Sequence, residues 1–146
     1  MTHFEFRCPL RWSDMDAYGH VNNVQYLRYL EGARVAMFFE GAKQAGVKTF
    51  EGDLVVVRHE IDYRRPLLFR TEPVVVEMWV TKLRSSSFTL GYEVRDDETS
   101  YASAVSILAA YDSGLDCVRR LSAEERGWLE QFVDAARAPG RRSSGS

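Results

Sequence analysis

The sequence RWSDMDAYGHVNNVQYLRYLEGAR, residues 11–34, joins a polar loop to the beginning of a long apolar helix. Its first half contains Asp and Gly residues that are typical of turns. From Asn22 to Ala42 apolar residues recur three to five positions apart, and this spacing predicts a helix. Asn22 or Asn23 is a candidate N-cap, because its side-chain oxygen can accept hydrogen bonds from amides of the first turn. Gly46 is a candidate residue for ending the helix.

Strand patterns lie on both sides of this helix. Apolar and polar residues alternate over residues 3–12, which predicts a half-buried strand. Four further strands are predicted at 54–63, 74–83, 88–94 and 101–112. Ser122 and Glu125 have the spacing of a capping box before a short C-terminal helix. Because the later strands follow one another closely, the chain is predicted to be α+β, with one long central helix against a five-stranded, mainly antiparallel sheet.

Composition is that of one ordinary globular domain. The 146 residues include 19 Lys and Arg and 21 Asp and Glu, so the formal net charge is −2, and 45% of the residues are apolar. We expect a single domain over residues 1–137 and a flexible tail over 138–146, whose Gly, Ser and Arg composition is typical of disorder. The charge balance does not favour nucleic acid as a partner, and no apolar run is long enough to predict a membrane span.

The cysteines and histidines suggest neither redox nor metal chemistry. Cys8 and Cys117 have no CxxC spacing, and the first residues lack the apolar run of a secretory signal, so we expect two free thiols and a cytoplasmic location. No base lies near either cysteine in the sequence that would make it a nucleophile. The three histidines are scattered, and the sequence therefore predicts no metal site.

The loop before the helix carries the residues with chemical potential. It contains two carboxylates, Asp14 and Asp16, and one imidazole, His20. A helix N-terminus offers unpaired N–H groups and a partial positive charge, which can hold a carbonyl oxygen as it becomes an oxyanion. A donor of this kind is worth about 10²–10³-fold in rate. An adjacent carboxylate could attack the carbonyl or activate water, so the arrangement suits acyl transfer or hydrolysis.

Residues 14–31 resemble the signature of the hot-dog fold acyl-CoA thioesterases, in particular the 4-hydroxybenzoyl-CoA thioesterase-like group. The resemblance rests on the pattern D-x-D-x-x-G-H-V-N-N followed by an aromatic-rich helix. The order of elements agrees over about residues 3–135, and the corner at 63–66 is similar as well. The resemblance implies a hot-dog fold, in which the sheet wraps around the long helix, and the hydrolysis of an acyl-CoA or acyl-carrier-protein thioester.

The resemblance also implies roles for individual residues. Asp16 would be the catalytic carboxylate, acting as nucleophile or general base. Gly19 would form the tight turn that lets the loop meet the helix, and the backbone N–H near Asn23 would donate to the thioester carbonyl. His20 would orient substrate or water, or would be only a hydrogen-bonded loop histidine. Asp14 is expected to be structural, pairing with Arg11 or accepting loop amides.

Further expectations concern the substrate and the assembly. We expect the substrate to contact Asn22, Tyr26 and Glu31, the last of which is also a reserve candidate for the catalytic carboxylate. Lys82 and Arg84 are expected to bind the phosphates of coenzyme A, although a solvated strand face would look the same. Coenzyme A is part of the substrate, so no separate cofactor is expected. Family members are dimers with edge-to-edge sheets and sites between subunits, and they often form dimers of dimers.

One departure from the family pattern and two alternative functions are left open. The founding members of the family have apolar or aromatic residues where this chain has His20, Asn22 and Asn23, so an aromatic acyl group is not implied. Asp16 and His20 also supply the residue types of a hot-dog hydratase or dehydratase, although the D-x-N-P-x-H-like arrangement of that branch is missing. A non-catalytic domain that binds acyl thioesters is the third alternative.

Overall fold

The computed structural model describes residues 2–46 and 53–137, and the predicted tail at 138–146 lies outside them. The strands are β1 (Phe4–Cys8), β2 (Asp53–Tyr63), β3 (Val74–Leu83), β4 (Ser87–Arg95), β5 (Ser100–Asp112) and the short β6 (Cys117–Val118). The long helix α1 has three parts, which are Asn23–Val35, a π-helical segment Ala36–Gly41 and a last turn Ala42–Gln44. A single 3₁₀ turn, Trp12–Asp14, precedes α1, and the C-terminal helix α2 is Ala123–Glu130.

The strands form one antiparallel sheet in the order β1-β3-β4-β5-β2, with β6 added to β5. This confirms the predicted α+β fold with one long helix against an antiparallel sheet. Strand β2 lies at one edge of the sheet, where β5 is its only strand neighbour among the described residues. None of the described helices is long and apolar enough to cross a bilayer.

The core lies between α1 and one face of the sheet. Leu30, Ala33 and Met37 of the helix are almost completely buried there. The sheet face beneath them combines large side chains of β4 with small side chains of β5, since Tyr92 pairs with Ala104 across the two strands. Small residues on β5 leave room for the helix to approach the sheet closely, as close packing of a protein interior requires.

Two details of the first elements differ from the sequence prediction. Strand β1 ends at Cys8, whereas the alternation continued to residue 12, because Pro9 has no N–H for the sheet ladder. The helix widens into its π-helical segment, where the indole N–H of Trp128 donates to the carbonyl oxygen of Met37 at 3.1 Å. Gly46 follows the helix with φ of 75°, as predicted for its end.

The C-terminal part begins with the predicted capping box. The Ser122 hydroxyl accepts from Glu125 N–H at 3.1 Å, and the Glu125 carboxylate accepts from Ser122 N–H at 2.8 Å. After α2 the chain pairs with β3, because Val80 N–H donates to Phe132 O and Asp134 N–H donates to Val80 O, both at 2.8 Å. This pairing covers the edge of β3 beyond the point where β1 begins, and the sequence pattern did not predict it.

Leu30 tests whether burial of α1 sustains the fold. Leu30→Ala is expected to lower the free energy of unfolding by about 2–5 kcal/mol, because it removes buried methyl groups and leaves a cavity. Chemical denaturation measures the change. The control is Leu115→Ala in an exposed loop, which should change the free energy by less than about 0.5 kcal/mol. Equal effects of the two substitutions would contradict the assignment of the core.

Candidate active site

A cavity of about 210 Å³ opens where the loop, the N-terminus of α1 and the end of β2 meet. Its lining residues are Asp16, His20, Val21, Asn23, Tyr26, Tyr63, Arg64, Arg65 and Pro66. Of the residues predicted for the site, the fold therefore places Asp16, His20, Asn23 and Tyr26 around one cavity.

The loop that carries Asp16 is closed by its own backbone. Asp16 N–H donates to His20 O at 2.7 Å, and Gly19 N–H donates to Asp16 O at 3.1 Å. Gly19 has φ of 77°, in the left-handed region that glycine adopts without a steric penalty. The tight turn expected at Gly19 is therefore present, and it brings Asp16 and His20 to the same wall of the cavity.

The two oxygens of the Asp16 carboxylate have different surroundings. Oδ1 accepts hydrogen bonds from the backbone N–H groups of Tyr18 at 2.8 Å and His20 at 3.1 Å. Oδ2 has no hydrogen-bond partner within residues 2–46 and 53–137. One oxygen thus holds the carboxylate in place, while the other remains available to a reacting group.

The first turn of α1 leaves one backbone donor unused. Asn22 is the N-cap, because its Oδ1 accepts from Val24 N–H at 3.0 Å and its carbonyl oxygen accepts from Gln25 N–H at 2.8 Å. The N–H of Asn23 has no acceptor in the described part of the chain. Since Asn23 lines the cavity, this N–H can hold an oxyanion there.

The end of β2 is tied to the same helix terminus. The Tyr63 hydroxyl donates to Asn23 O at 3.0 Å, and its ring contacts that of Tyr26 edge-on, with centroids 5.1 Å apart. Tyr26 is buried, which raises the pKa of its hydroxyl to about 12 and keeps it protonated. Tyr63 therefore fixes the wall of the cavity opposite the loop.

Asp14 holds the loop to the body of the protein. Its side chain is only 1% exposed, and Oδ2 accepts from the Tyr29 hydroxyl at 2.8 Å. Arg11 donates to the same carboxylate through its backbone N–H and its guanidinium, at 3.2 and 3.1 Å. The Asp14 carbonyl accepts from Asn22 N–H at 2.9 Å. Asp14 therefore connects the segment after β1, the helix N-cap and Tyr29 within α1, and it has the structural role expected of it.

These contacts decide the protonation state of Asp14. Burial alone would raise the pKa of its carboxyl, but hydrogen bonds from Tyr29 and Arg11 outweigh burial and lower the pKa below the ordinary value. Burial, and secondly the hydrogen bond to Asp14, raise the pKa of the Tyr29 hydroxyl. The pair therefore consists of a neutral phenol donating to a carboxylate anion.

Three of the predicted substrate-binding residues lie away from the cavity within one copy of the chain. Glu31 is exposed and lines a separate groove of about 630 Å³ between α1 and β1. Lys82 and Arg84 lie at the far end of β3, whereas Asp16 follows the end of β1 that pairs with Val74 at the start of β3. Nine residues of strand separate these two ends by roughly 30 Å. One copy therefore does not bring Lys82 or Arg84 to Asp16.

The corner after β2 supplies lining residues that sequence reasoning did not select. The backbone N–H groups of Arg64 and Arg65 donate to Tyr101 O at 2.8 and 3.2 Å, and the Arg64 guanidinium donates to Ser103 Oγ at 3.1 Å. The Arg65 side chain is exposed at the cavity. Pro66 in the YRRP corner was the available signal, because it marks the turn that brings the two arginines here.

Thiol and metal chemistry do not centre on this cavity. Both cysteines are free, and burial, with the negative charge of Asp14, raises the pKa of Cys8 to about 11. A thiol of that pKa is a poor nucleophile near neutral pH. Cys117 is exposed on β6, away from the cavity. Among the described residues no group of three or more His, Cys, Asp or Glu side chains is arranged to hold a metal ion.

A family model described as the thioesterase-like superfamily matches residues 10–136 of the chain. Among solved structures, a Thermus thermophilus thioesterase complexed with coenzyme A and Zn is 29% identical, with a TM-score of 0.72 over 92% of this chain and 95% of its own. A Pseudomonas aeruginosa protein with a provisional thioesterase name is 30% identical, with a TM-score of 0.73 over 85% of this chain and 95% of its own.

A third similar structure is a probable thioesterase from Escherichia coli, 26% identical, with a TM-score of 0.74 over 90% of this chain and 99% of its own. No curated protein matches the chain significantly. The comparisons confirm the hot-dog architecture that the resemblance implied.

Tyr29 tests the role of the buried carboxylate. Tyr29→Phe removes a hydrogen bond to a charged group and is expected to lower the free energy of unfolding by about 1.5–3 kcal/mol at neutral pH. Because the folded-state pKa of Asp14 is depressed, this contribution is present above the ordinary Asp pKa of about 3.9 and is lost as pH falls through the folded value. Urea denaturation at several pH values should show that the difference in free energy of unfolding between the wild type and Tyr29→Phe becomes smaller in acid. Tyr18→Phe, on an exposed residue, is the control, and a pH-independent difference would contradict the account.

Proposed function

Because the chain belongs to the thioesterase-like superfamily, we propose that it hydrolyses the thioester of an acyl-CoA, or of an acyl carrier protein, to the free acid and the thiol. One observation carries the proposal. The unoccupied oxygen of Asp16 and the unused N–H of Asn23 belong to residues that line the same cavity. A carboxylate and an oxyanion donor are the two groups that hydrolysis of a thioester carbonyl needs.

In the proposed reaction the thioester carbonyl oxygen accepts a hydrogen bond from Asn23 N–H. The partial positive charge of the helix terminus adds to this stabilisation as the oxygen gains negative charge. A donor placed in this way contributes about 10²–10³-fold to the rate. Asn22 accepts hydrogen bonds from the N–H groups of Val24 and Gln25. The N–H of Asn23 is therefore the donor that remains for the substrate.

Asp16 has two routes to the same products. As a general base, Oδ2 takes a proton from water while the water oxygen attacks the carbonyl carbon, and the thiolate leaves and is protonated. As a nucleophile, Oδ2 attacks the carbon itself, and water then hydrolyses the resulting anhydride. Both routes need the carboxylate held with one oxygen free, which is how the backbone of Tyr18 and His20 holds it.

We also propose that the working unit contains a second copy of the chain. Strand β2 has 11 residues and an open edge, and Val57 on it is 63% exposed. A long open edge is a template for pairing with another strand. Antiparallel pairing of two β2 strands would turn the second copy end for end, so that its Lys82 and Arg84 lie on the same side as Asp16. The basic residues expected to bind coenzyme A could then serve the neighbouring site, and dimers could associate further into tetramers.

Coenzyme A is the preferred thiol in this proposal. The similar Thermus thermophilus thioesterase was obtained in complex with coenzyme A, which supports the same ligand here. Arg65 offers an exposed cation at the cavity, and guanidinium groups bind phosphates well. His20 lines the cavity, so its imidazole can orient the substrate or water.

Asp16→Asn is expected to lower turnover of a medium-chain acyl-CoA by at least about 10²-fold, because the amide is neither a base nor a nucleophile. Thiol release in a colorimetric assay measures this. The matched control is Asp97→Asn, the same change in an exposed loop, which should retain normal turnover. Near-normal thiol release by the Asp16→Asn protein would contradict the assignment.

Val57→Asp tests whether two copies of the chain pair through β2 and whether activity requires that pairing. A carboxylate on the open edge of β2 should prevent two copies from pairing, so the protein is expected to shift from dimer or tetramer to monomer in light scattering. Activity should fall in proportion to the loss of the dimer. Leu115→Asp places the same charge in an exposed loop and should change neither property. A fully active monomer would contradict the proposal of a shared site.

A further inference from the structure

Arg34 lies on α1, half-buried, and has no acidic partner. Its guanidinium donates to the hydroxyl of buried Tyr92 at 3.1 Å. Among the described residues no carboxylate lies within salt-bridge distance of Arg34. A cation withdrawn from water costs free energy unless an anion or several acceptors compensate it. Most of the N–H donors of this guanidinium are therefore available to a ligand.

A row of polar side chains leads from Arg34 to the open edge of the sheet. The Ser106 hydroxyl lies near that of Tyr92, and its Oγ is 2.6 Å from Nδ1 of His59. Arginine can only donate, so the Tyr92 oxygen accepts from Arg34. Where the Ser106 hydroxyl donates to Nδ1 of His59, the neutral imidazole carries its proton on Nε2. Burial, together with the positive charge of Arg34, lowers the pKa of His59, in agreement with the neutral form.

The cluster lies on the same two elements, α1 and β2, whose ends border the candidate active site. The hydroxyl of Tyr63 on β2 donates a hydrogen bond to the carbonyl oxygen of Asn23 on α1 at the cavity. From there the helix reaches Arg34 in eleven residues, or about 16 Å, and β2 reaches His59 in four residues, or about 13 Å. Both elements therefore lead from the cavity to the cluster over similar distances. His59 is exposed and pairs with buried Ser106 on β5, which puts it on the face of the sheet that carries the helix.

The rest of this strand face is apolar. Val56 and Ile61 pair with Leu108 and Ala104 of β5, which are buried beneath the helix, so these two residues share the face of His59. A chain of methylene groups extending from the cavity along β2 would meet apolar side chains first. It would then reach the donors of Arg34 and His59.

Resting on the proposed thioesterase function, we propose that Arg34 and His59 form a distal subsite for a carboxylate at the far end of the acyl chain. The substrate class is then a coenzyme A thioester of a dicarboxylic acid, with the thioester at Asp16 and the free carboxylate at Arg34. The planar guanidinium offers paired N–H donors that match the two oxygens of a carboxylate. Nε2–H of His59 adds a third donor without adding charge.

The test compares acyl-CoAs in pairs of equal length, with and without a terminal carboxylate. The pairs are succinyl- with butyryl-CoA, adipoyl- with hexanoyl-CoA, suberoyl- with octanoyl-CoA, and dodecanedioyl- with dodecanoyl-CoA. The wild-type protein is expected to prefer the dicarboxylic member by about tenfold or more in kcat/KM at one length, the effect of one charged hydrogen bond. Arg34→Met should abolish this preference and retain hydrolysis of the neutral member.

Two variants keep the test decisive. Arg34→Lys keeps the charge and should retain part of the preference even if Arg34→Met is unstable. Arg28→Met removes a guanidinium from the side of the same helix that faces β1, and it should leave the preference unchanged. Loss of the dimer in Arg34→Met would overturn the proposal, because Arg34 would then be compensated by a carboxylate of a second copy.

The remaining outcomes separate the two proposals. If neutral acyl-CoAs are hydrolysed and no dicarboxylic member is preferred at any length, the subsite is refuted and the thioesterase function stands. An equal loss of kcat/KM toward both members of a pair in Arg34→Met would also refute the subsite. If nothing is hydrolysed, the proposed function fails, and calorimetric binding of the paired acyl-CoAs then tests the subsite alone. Stronger binding of the dicarboxylic member, lost in Arg34→Met, would support it, and equal binding would refute it.

Discussion

The buried carboxylate of Asp14 is the contact on which the arrangement of the site depends. It receives hydrogen bonds from Arg11, three residues after β1, and from Tyr29 within α1, and its own carbonyl accepts from the N–H of the helix cap, Asn22. Two residues later the chain presents Asp16. Because Asp14 is fixed to the segment after β1 and to the helix, the distance between Asp16 and the helix N-terminus is fixed as well. An ionised Asp14 is stable in this buried place only because its hydrogen bonds outweigh the cost of burial.

This geometry assigns the capping of the helix and the proposed chemistry to different residues. A carboxylate near a helix N-terminus could be a cap and nothing more. Here Asn22 caps the helix, while Asp16 closes its own loop through Oδ1 and keeps Oδ2 free. The N–H of Asn23 is left over because the cap takes the two N–H groups that follow it. Structural roles and the proposed catalytic roles are thus divided between different atoms.

Much of the fold could be predicted because its signals are local. The N-cap at Asn22, the left-handed Gly46 and the capping box at Ser122 depend on neighbours within four residues. The π-helical segment and the pairing of Val80 with Phe132 could not be predicted, since they depend on contacts between distant parts of the chain. A short alternating pattern also could not show that the strand stops before residue 9.

The candidate site divides in the same way. Asp16, His20 and Asn23 lie within eight residues, so one motif identified them together. Tyr63 reaches Asn23 across forty residues of sequence, and no spacing rule links them. Periodicity also could not show that Lys82 lies at the opposite end of the strands from Asp16, because that depends on the direction in which β3 runs beside β1.

The central claim is that water cleaves an acyl thioester at Asp16 and Asn23. The most direct measurement is turnover of octanoyl-CoA in water enriched in the heavy oxygen isotope, followed by mass spectrometry of both products. The account predicts free coenzyme A in equal amount to octanoic acid, with the acid carrying oxygen from water. An intact thioester, or a product that keeps its bond to coenzyme A, would contradict it.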